Sequence, residues 1–496
     1  MFNEMLREDE VRDLYQVIDR WIAQEGEGAL LERRAEAEAL FRRVGITFAV
    51  YGEGGDPERL IPFDLVPRIF SAAEWDIVER GSIQRAKALN AFLADVYGPK
   101  EILKAGIVPR ALVEQNPAYE KVMEGIRPPG DVYAHIIGVD IVRTGLDEFC
   151  VLEDNCRTPS GVSYVLETRD VMARMFPHLF ANGMVRPVDE YPDMLAAAMD
   201  EVAPPRCEGL PMRALLTPGY FNSAYYEHSF LADRMGVELV EGQDLFTEAG
   251  RLWMRTIDGP QEVDVLYRRI DDAFLDPECF NPDSMLGVPG LMDVYREGGV
   301  TLVNAPGAGV ADDKATYVFV PEMIRFYLGE EPILPNVPTW RCSEAEECAY
   351  VLDHLPELVV KEVHGSGGYG MLIGNAATKA EIEAFADKIR SDPEGFIAQP
   401  ILELSAAPIL SENGVEGRHV DLRPFVITGK ETRLIPGGLT RVALRKGSLV
   451  VNSSQGGGVK DTWVMRDGPP PDGLLRDGEV RQRLMRSKEL REGKDA

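Results

Sequence analysis

From Ser71 onward the apolar residues Trp75, Val78, Ala86, Leu89, Leu93 and Val96 recur at helical spacing. Ser71 with Glu74 three residues on makes a capping box, and Gly98-Pro99 closes the run, so the pattern predicts one long helix. Residues 1–60 read as helical too, followed by the turn-rich YGEGGDPERLIP. Between 130 and 160 the period falls to two. VYAHIIGVDIVRT and EFCVLEDN read as strands joined by a turn around Gly145-Leu146-Asp147. From about 210, short apolar runs alternate with helical ones: MRALLTPG, the helix NSAYYEHSFLADRMG closed by Gly236, then VELVEG, VDVLYRRI and GVTLVNAPG. That alternation predicts a parallel, doubly wound sheet. Beyond 355, ELVVKEVHGSGGYGMLIG, GFIAQPIL and HVDLRPFVITG read as antiparallel strands around a helix TKAEIEAFADKIRSD. Pro335 and Pro338 mark a boundary before them. NSSQGGGVKDTWV precedes a Pro-Gly stretch and a charged tail, read as partly helical or frayed. The fold class is α/β with α+β elements.

The 496 residues suffice for two to four packed units. There are 82 acidic against 53 basic side chains, a formal charge of −29. That balance argues against nucleic-acid binding, which needs a basic face, but leaves room for a small anion held by a local Lys/Arg cluster. The N-terminus MFNEMLREDEVRDLYQVIDRW is acidic and amphipathic, without the basic and apolar regions of a signal peptide. No apolar run approaches the roughly 18 residues of a membrane span. Cys150, Cys156, Cys207, Cys279, Cys342 and Cys348 form no C-x-x-C pair, and with no export signal they point to a reducing cytoplasm. The six histidines make no H-x-H or HExxH pattern, which argues against a histidine metal site.

Chemistry concentrates in four stretches. VVKEVHGSGGYG carries G-x-G-x-x-G at Gly365, Gly367 and Gly370, but a strand follows rather than a helix, so the Rossmann context fails. What remains is a glycine-rich hairpin behind Lys361. Its N–H groups and that lysine suit a phosphate; a flexible hairpin beside an exposed lysine is the equal alternative. DDKATY sets Lys314 after a strand and at the start of a helix, and FIAQPIL runs an apolar strand into Gln399, whose amide and free strand edge could read an adenine. A surface lysine and a strand-end glutamine are the bland readings of these two. In the hairpin of 132–155, pairing about the turn sets Asp140 opposite Glu153. Glu153 and Asn155 then share that face and Asp154 points away. Two carboxylates and an amide oxygen on one face suit Mg²⁺, while a solvated face paired to Arg143 and Arg157 explains them equally well.

Together these stretches resemble the ATP-grasp superfamily. VDIVRTGLDEFCVLEDNCRTPSG resembles its magnesium hairpin and the substrate-side loop after it; DDK, VVKEVHGSGGYG and FIAQPIL resemble its nucleotide lysines, glycine loop and adenine strand. Glu153 precedes Lys314 and Lys361, the reverse of the usual order. That is similar to the circularly permuted group, which includes the synthetase domain of glutathionylspermidine synthase. FDLVPRIFSAAEWDIVERG, PSGVSYVLETRDVMARMFP and NSSQGGGVKDTWV extend the likeness to that group's uncharacterised bacterial branch, over about 60–465. The resemblance implies antiparallel nucleotide-binding sheets beside a doubly wound pre-ATP-grasp-like domain. The expected division is a mainly helical 1–130, a magnesium-binding part at 131–205, an α/β substrate domain at 206–310, a nucleotide-binding region at 311–465 and a tail at 466–496.

The resemblance also implies a carboxylate–amine ligase using ATP and one or two Mg²⁺ ions through an acyl phosphate. Asp140, Glu153 and Asn155 would hold the metal. Lys314, Lys361, Gly365, Ser366, Gly367, Gly368, Gly370 and Gln399 would hold the nucleotide. Arg423 and Arg441, at strand positions, are candidates for the transferred phosphate, with structural pairing as the alternative. Ser160 and Gly161 would face substrate, and Arg268 and Arg269 are candidates for its carboxylate. In the related synthetase a basic residue stands two before the first magnesium acid. Here that place is Gly138, and Arg143 or Arg157 is the candidate replacement. No amidase domain is fused, so the acid (small molecule or peptide) and the amine are not named. A protein partner encoded nearby is compatible with this reading, as is a nucleotide-binding protein that has lost turnover. Oligomeric state is not set by the sequence.

Overall fold

The computed structural model describes residues 2–8, 10–44, 47–49, 58–220, 222–365, 370–448, 451 and 457–468. The turn-rich 51–57, Ser366, Gly367 and Gly368 of the glycine loop, residues 452–456 of NSSQGGG and the tail from 469 lie outside the described residues.

The predicted long helix is Ala72–Val96, and Ser71 and Glu74 close the capping box at its start. Against it lies a nine-stranded sheet that draws strands from both ends of the chain. Ile136–Arg143 carries Phe149–Asn155 on one side. On its other side it meets Phe425–Thr428 and, at Leu422, the strand Gly414–Arg423. Leu439–Val442, Gly458–Val464 and Phe63–Phe70 continue the sheet, and the last of these pairs parallel while its neighbours pair antiparallel.

Alternation along Ile136–Arg143 sorts the two faces. Ile137, Val139 and Ile141 pack with Trp75, Leu89 and Phe92 of the long helix. Ile136 and Phe425 pack the other way, with Val162 and Val165 of the helix Val162–Met175 and with the N-terminal helices Gln16–Glu25 and Glu27–Val44. The strand Phe63–Phe70 is absent from the sequence reading. It is buried on both faces, so it shows no alternation, and it contains Pro67. Proline is admissible there because the strand is an edge and its pairing shifts register just before Arg68.

The α/β unit is as the alternation predicts: Arg213–Leu216, Glu238–Val240, Val265–Arg268 and Thr301–Val303 form one parallel sheet. A further antiparallel sheet sets Phe396–Pro400 between Trp340–Arg341 and Leu358–Glu362, with Met371–Ile373 outermost. The helix Lys379–Ser391, capped by Thr378 and Glu381, belongs to the same part of the chain, and Ala386 and Ile389 on it pack with this sheet's core.

Candidate functional site

Away from the turn the hairpin has the expected register: Gly138 pairs with Asn155 and Asp140 with Glu153. Past that point a bulge adds Leu152, and Ile141 faces Val151. Asp154 faces the long helix, where Arg85 grips both its oxygens at 2.6 and 2.8 Å.

On the other face two arginines converge on Asp140. Arg423 donates Nε and Nη2 to its two oxygens at 2.5 and 2.7 Å, and Arg441 donates Nη2 at 2.8 Å. Arg441 also binds Asp421, its cross-strand partner, so it lies between two carboxylates. Burial pushes the Asp140 carboxyl up, but Arg423 and Arg441 more than reverse this and hold it below the usual range. Glu153 goes the other way: burial first, and then the neighbouring Asp140 charge, raise it, against the pull of Lys361, Lys314 and Arg423. Burial lowers Lys361 while Glu153 draws it back up. Two strand acids, two strand arginines and two lysines from another part of the chain therefore share one electrostatic neighbourhood.

DDK ties the parts together. Asp312 Oδ2 accepts from the backbone N–H groups of Cys156 and Arg157 and from Arg157 Nε, each at 3.1 Å, directly after the Glu153–Asn155 strand. Asp313 caps its own turn by accepting from Ala315 and Thr316. Its other oxygen stands 3.3 Å from His364 Nδ1, and Lys314 Nζ donates to the Gly365 carbonyl. The base of the glycine hairpin is thus clasped twice. The Asp313 hydrogen bond raises the His364 pKa above its ordinary 6.5. A histidine raised on folding stabilises below 6.5, and that contribution is lost as pH rises through the higher folded value. Folding stability is therefore expected to decline as pH rises above 6.5, and His364→Gln to flatten that decline. Urea unfolding at several pH values from about 6 upward checks this; a profile identical in both proteins would sink it.

The donor set fits Mg²⁺ in part. Asn155 uses its Nδ2 on the Gly138 carbonyl at 3.2 Å, leaving Oδ1 to accept or ligate. Glu153 is the carboxylate whose repulsion with Asp140 a divalent cation would relieve. Asp140 is engaged by three arginine N–H groups and serves first as their anchor. No group of three His, Cys, Asp or Glu side chains suited to a metal occurs among the described residues. Mg²⁺ needs only one or two carboxylates when phosphates and waters complete its shell.

Several expected positions lie elsewhere. Arg143 is three residues from Asp140, hence on the opposite face, where it is buried against Glu74 and the Leu146 carbonyl. It does not take the place of a basic residue at Gly138. Arg423 fills that space instead: a Cβ on Gly138 would stand 3.1 Å from Arg423 Cδ and 3.1 Å from Pro159 Cβ. Arg157 sits with Asp312 at the hairpin base. Arg268 spends its guanidinium on the carbonyls of Ile270, Asn304 and Ala305 and on Asp272. Arg269 is buried against Glu227, Tyr267 and the Pro159 carbonyl. Neither is open to a substrate carboxylate. Gln399 is inside its sheet rather than on a free edge, and its amide donates to Thr339 Oγ1 at 3.0 Å. Ser160 offers its carbonyl to Arg423 at 3.4 Å, Gly161 caps the helix Val162–Met175, and Gly370 begins beside Glu362. Asp421 was missed, although Asp421 and Arg423 stand two apart in HVDLRPF and so share a face.

Residues 67–443 match the family described as circularly permuted ATP-grasp type 2. An uncharacterised protein of Synechocystis sp. is 55% identical over 447 residues, covering 90% of this chain and 93% of that one. A protein of Frankia casuarinae, provisionally named a glutamate–cysteine ligase, is 41% identical over 92% of this chain, which spans 52% of its length. A glutathione synthetase-like effector from Globodera pallida, solved in apo form, shares the fold, with a TM-score of 0.58 at 13% identity over 89% of this chain and 98% of that one.

Proposed function

Because the chain belongs to the circularly permuted ATP-grasp family, a branch of the ATP-dependent ligase superfamily, we propose that it joins a carboxylate to an amine, with ATP consumed through an acyl phosphate and Mg²⁺ required. The observation that supports this most is the meeting of Asp140, Glu153, Arg423 and Arg441 on one sheet face within electrostatic reach of Lys314 and Lys361. Phosphoryl transfer calls for positioned charge rather than a protein nucleophile, and this set supplies it.

In this reading the substrate carboxylate attacks the γ-phosphorus, the bond to the β-phosphate bridging oxygen breaks, and ADP leaves. The amine then adds to the acyl carbon, inorganic phosphate departs, and the nitrogen gives up a proton. Arg423 and Arg441, oriented by Asp140 and Asp421, hold the transferred phosphoryl oxygens. Lys314 and Lys361 hold the other phosphates. Magnesium on Glu153 and Asn155 Oδ1 would neutralise phosphate charge. Lys361→Ala is expected to weaken ATP binding by about 10- to 100-fold, the worth of a charge-assisted contact; calorimetric titration showing unchanged affinity would reduce the glycine hairpin to a hairpin.

The test is thermal shift with ATP and Mg²⁺, followed by ADP release over a matrix of acids and amines. The Frankia relative's name makes glutamate and cysteine the first pair to try. Absence of any nucleotide stabilisation contradicts the proposal. Stabilisation without ADP release on any pair identifies a nucleotide-binding protein without turnover.

A further inference from the structure

Glu227 lies in the α/β unit, on the helix Tyr225–Met235, and is 2% exposed. Its Oε2 accepts from Gly161 N at 2.7 Å, Ser163 N at 3.1 Å and Ser163 Oγ at 3.0 Å. Its Oε1 accepts from Arg269 Nη2 at 2.9 Å, and Arg269 Nη1 reaches the Pro159 carbonyl at 2.8 Å. The pair therefore grips both ends of the Pro159–Ser160–Gly161 loop. It also fills the positive N-terminus of the helix Val162–Met175, where a free anion would otherwise bind.

We propose that Glu227 and Arg269 are positioning residues: through this loop they set where Arg423 stands. The inference rests on the proposed reading of Arg423 as a holder of the transferred phosphoryl. Three contacts carry it. The Ser160 carbonyl, between the two gripped residues, accepts from Arg423 Nη1. Pro159 and Arg423 share the space over Gly138. Gly161, at φ +112°, is closed in from the far side by Leu439, whose Cδ2 would meet an added Cβ at 2.7 Å. The loop is thus fixed from two directions and bears directly on the guanidinium. A buried ion pair gives little net stability compared with apolar side chains of similar size. What it supplies here is direction, four donors converging on one carboxylate, at the joint between the α/β unit and the large sheet.

The test compares affinity for ADP–Mg²⁺ alone with affinity for ADP–Mg²⁺ plus fluoroaluminate, a mimic of the phosphoryl in flight, and needs no knowledge of the acid or amine. In Glu227→Gln the gain from fluoroaluminate is expected to fall about 10-fold or more, with ADP affinity unchanged, since only the transferred group meets Arg423. Ser163→Ala, which removes one hydroxyl and leaves the fold intact, should move the same ratio less far, and it decides the matter if Glu227→Gln fails to fold. An unchanged ratio, or equal losses with and without fluoroaluminate, overturns the positioning role. A wild-type protein that gains nothing from fluoroaluminate contradicts the phosphoryl-transfer reading itself, and the brace with it.

Discussion

Glu153→Gln combined with Asn155→Ala is expected to lower ADP release by about 100-fold or more, while Glu153→Gln alone leaves the fold at least as stable as before. Loss of activity on this scale is what removing a preorganised charge from a phosphoryl-transfer site costs. The stability half of the expectation follows from the pKa direction. Burial and the Asp140 charge hold the Glu153 carboxyl above its ordinary value of 4.5. A carboxyl raised on folding binds its proton more tightly in the native state, so ionising it at neutral pH works against folding. Glutamine keeps the shape without the charge. Its stabilising effect should therefore be present at pH 7 and shrink as pH falls towards 4.5. Unfolding curves at several pH values, run beside ADP release, separate the two effects. If the double variant binds and hydrolyses ATP undiminished, the magnesium assignment is wrong.

Arg441→Met should do the opposite and cost stability, by about 3–5 kcal/mol. Arg441 is the only arginine shared by Asp140 and Asp421 among the described contacts, and all three side chains are buried. Removing it leaves Asp421 without its counter-charge and Asp140 dependent on Arg423 alone. Burial already lifts the Asp421 carboxyl, with Arg441 pulling it back. Adding Asp421→Asn to Arg441→Met should recover part of the loss, because the stranded charge goes too. Urea unfolding of the two single variants and the double variant measures the coupling. A loss below about 1 kcal/mol in Arg441→Met would place this pair with ordinary surface ion pairs.

How far the site was legible depended on where parity could be counted. The hairpin pairing of Asp140 with Glu153 was expected from a turn centred at Leu146-Asp147, and the structure has it, with the bulge at Leu152 making up the one-residue difference from the pairing next to the turn. The same parity, counted three places on from Asp140, would have sent Arg143 to the far face. Asp421 and Arg423 were a same-face pair in plain view, but the link from Arg441 to Asp140 joins strands that local sequence cannot bring together. Arg268 and Arg269 stand at a strand end like substrate residues, yet besides near neighbours they are held by the carbonyls of Asn304 and Pro159 and by Glu227, all from distant segments. Phe63–Phe70 was hidden because a strand buried on both sides has no polar beat, and its Pro67 reads as a break. The parallel sheet and the capped helices were legible because each is written in one continuous stretch, residues 213–303 for the sheet.

The large sheet also imposes an order in time. Asp140 and Glu153 leave the ribosome long before Arg423 and Arg441, and Phe63–Phe70 must wait for Gly458–Val464 to pair. At roughly 5–20 residues per second, synthesis of the intervening chain takes tens of seconds. Until then Asp140 has neither of its arginines. The acidic hairpin is made first and neutralised last, so the nascent protein cannot assemble this site before nearly all of the described chain has been translated.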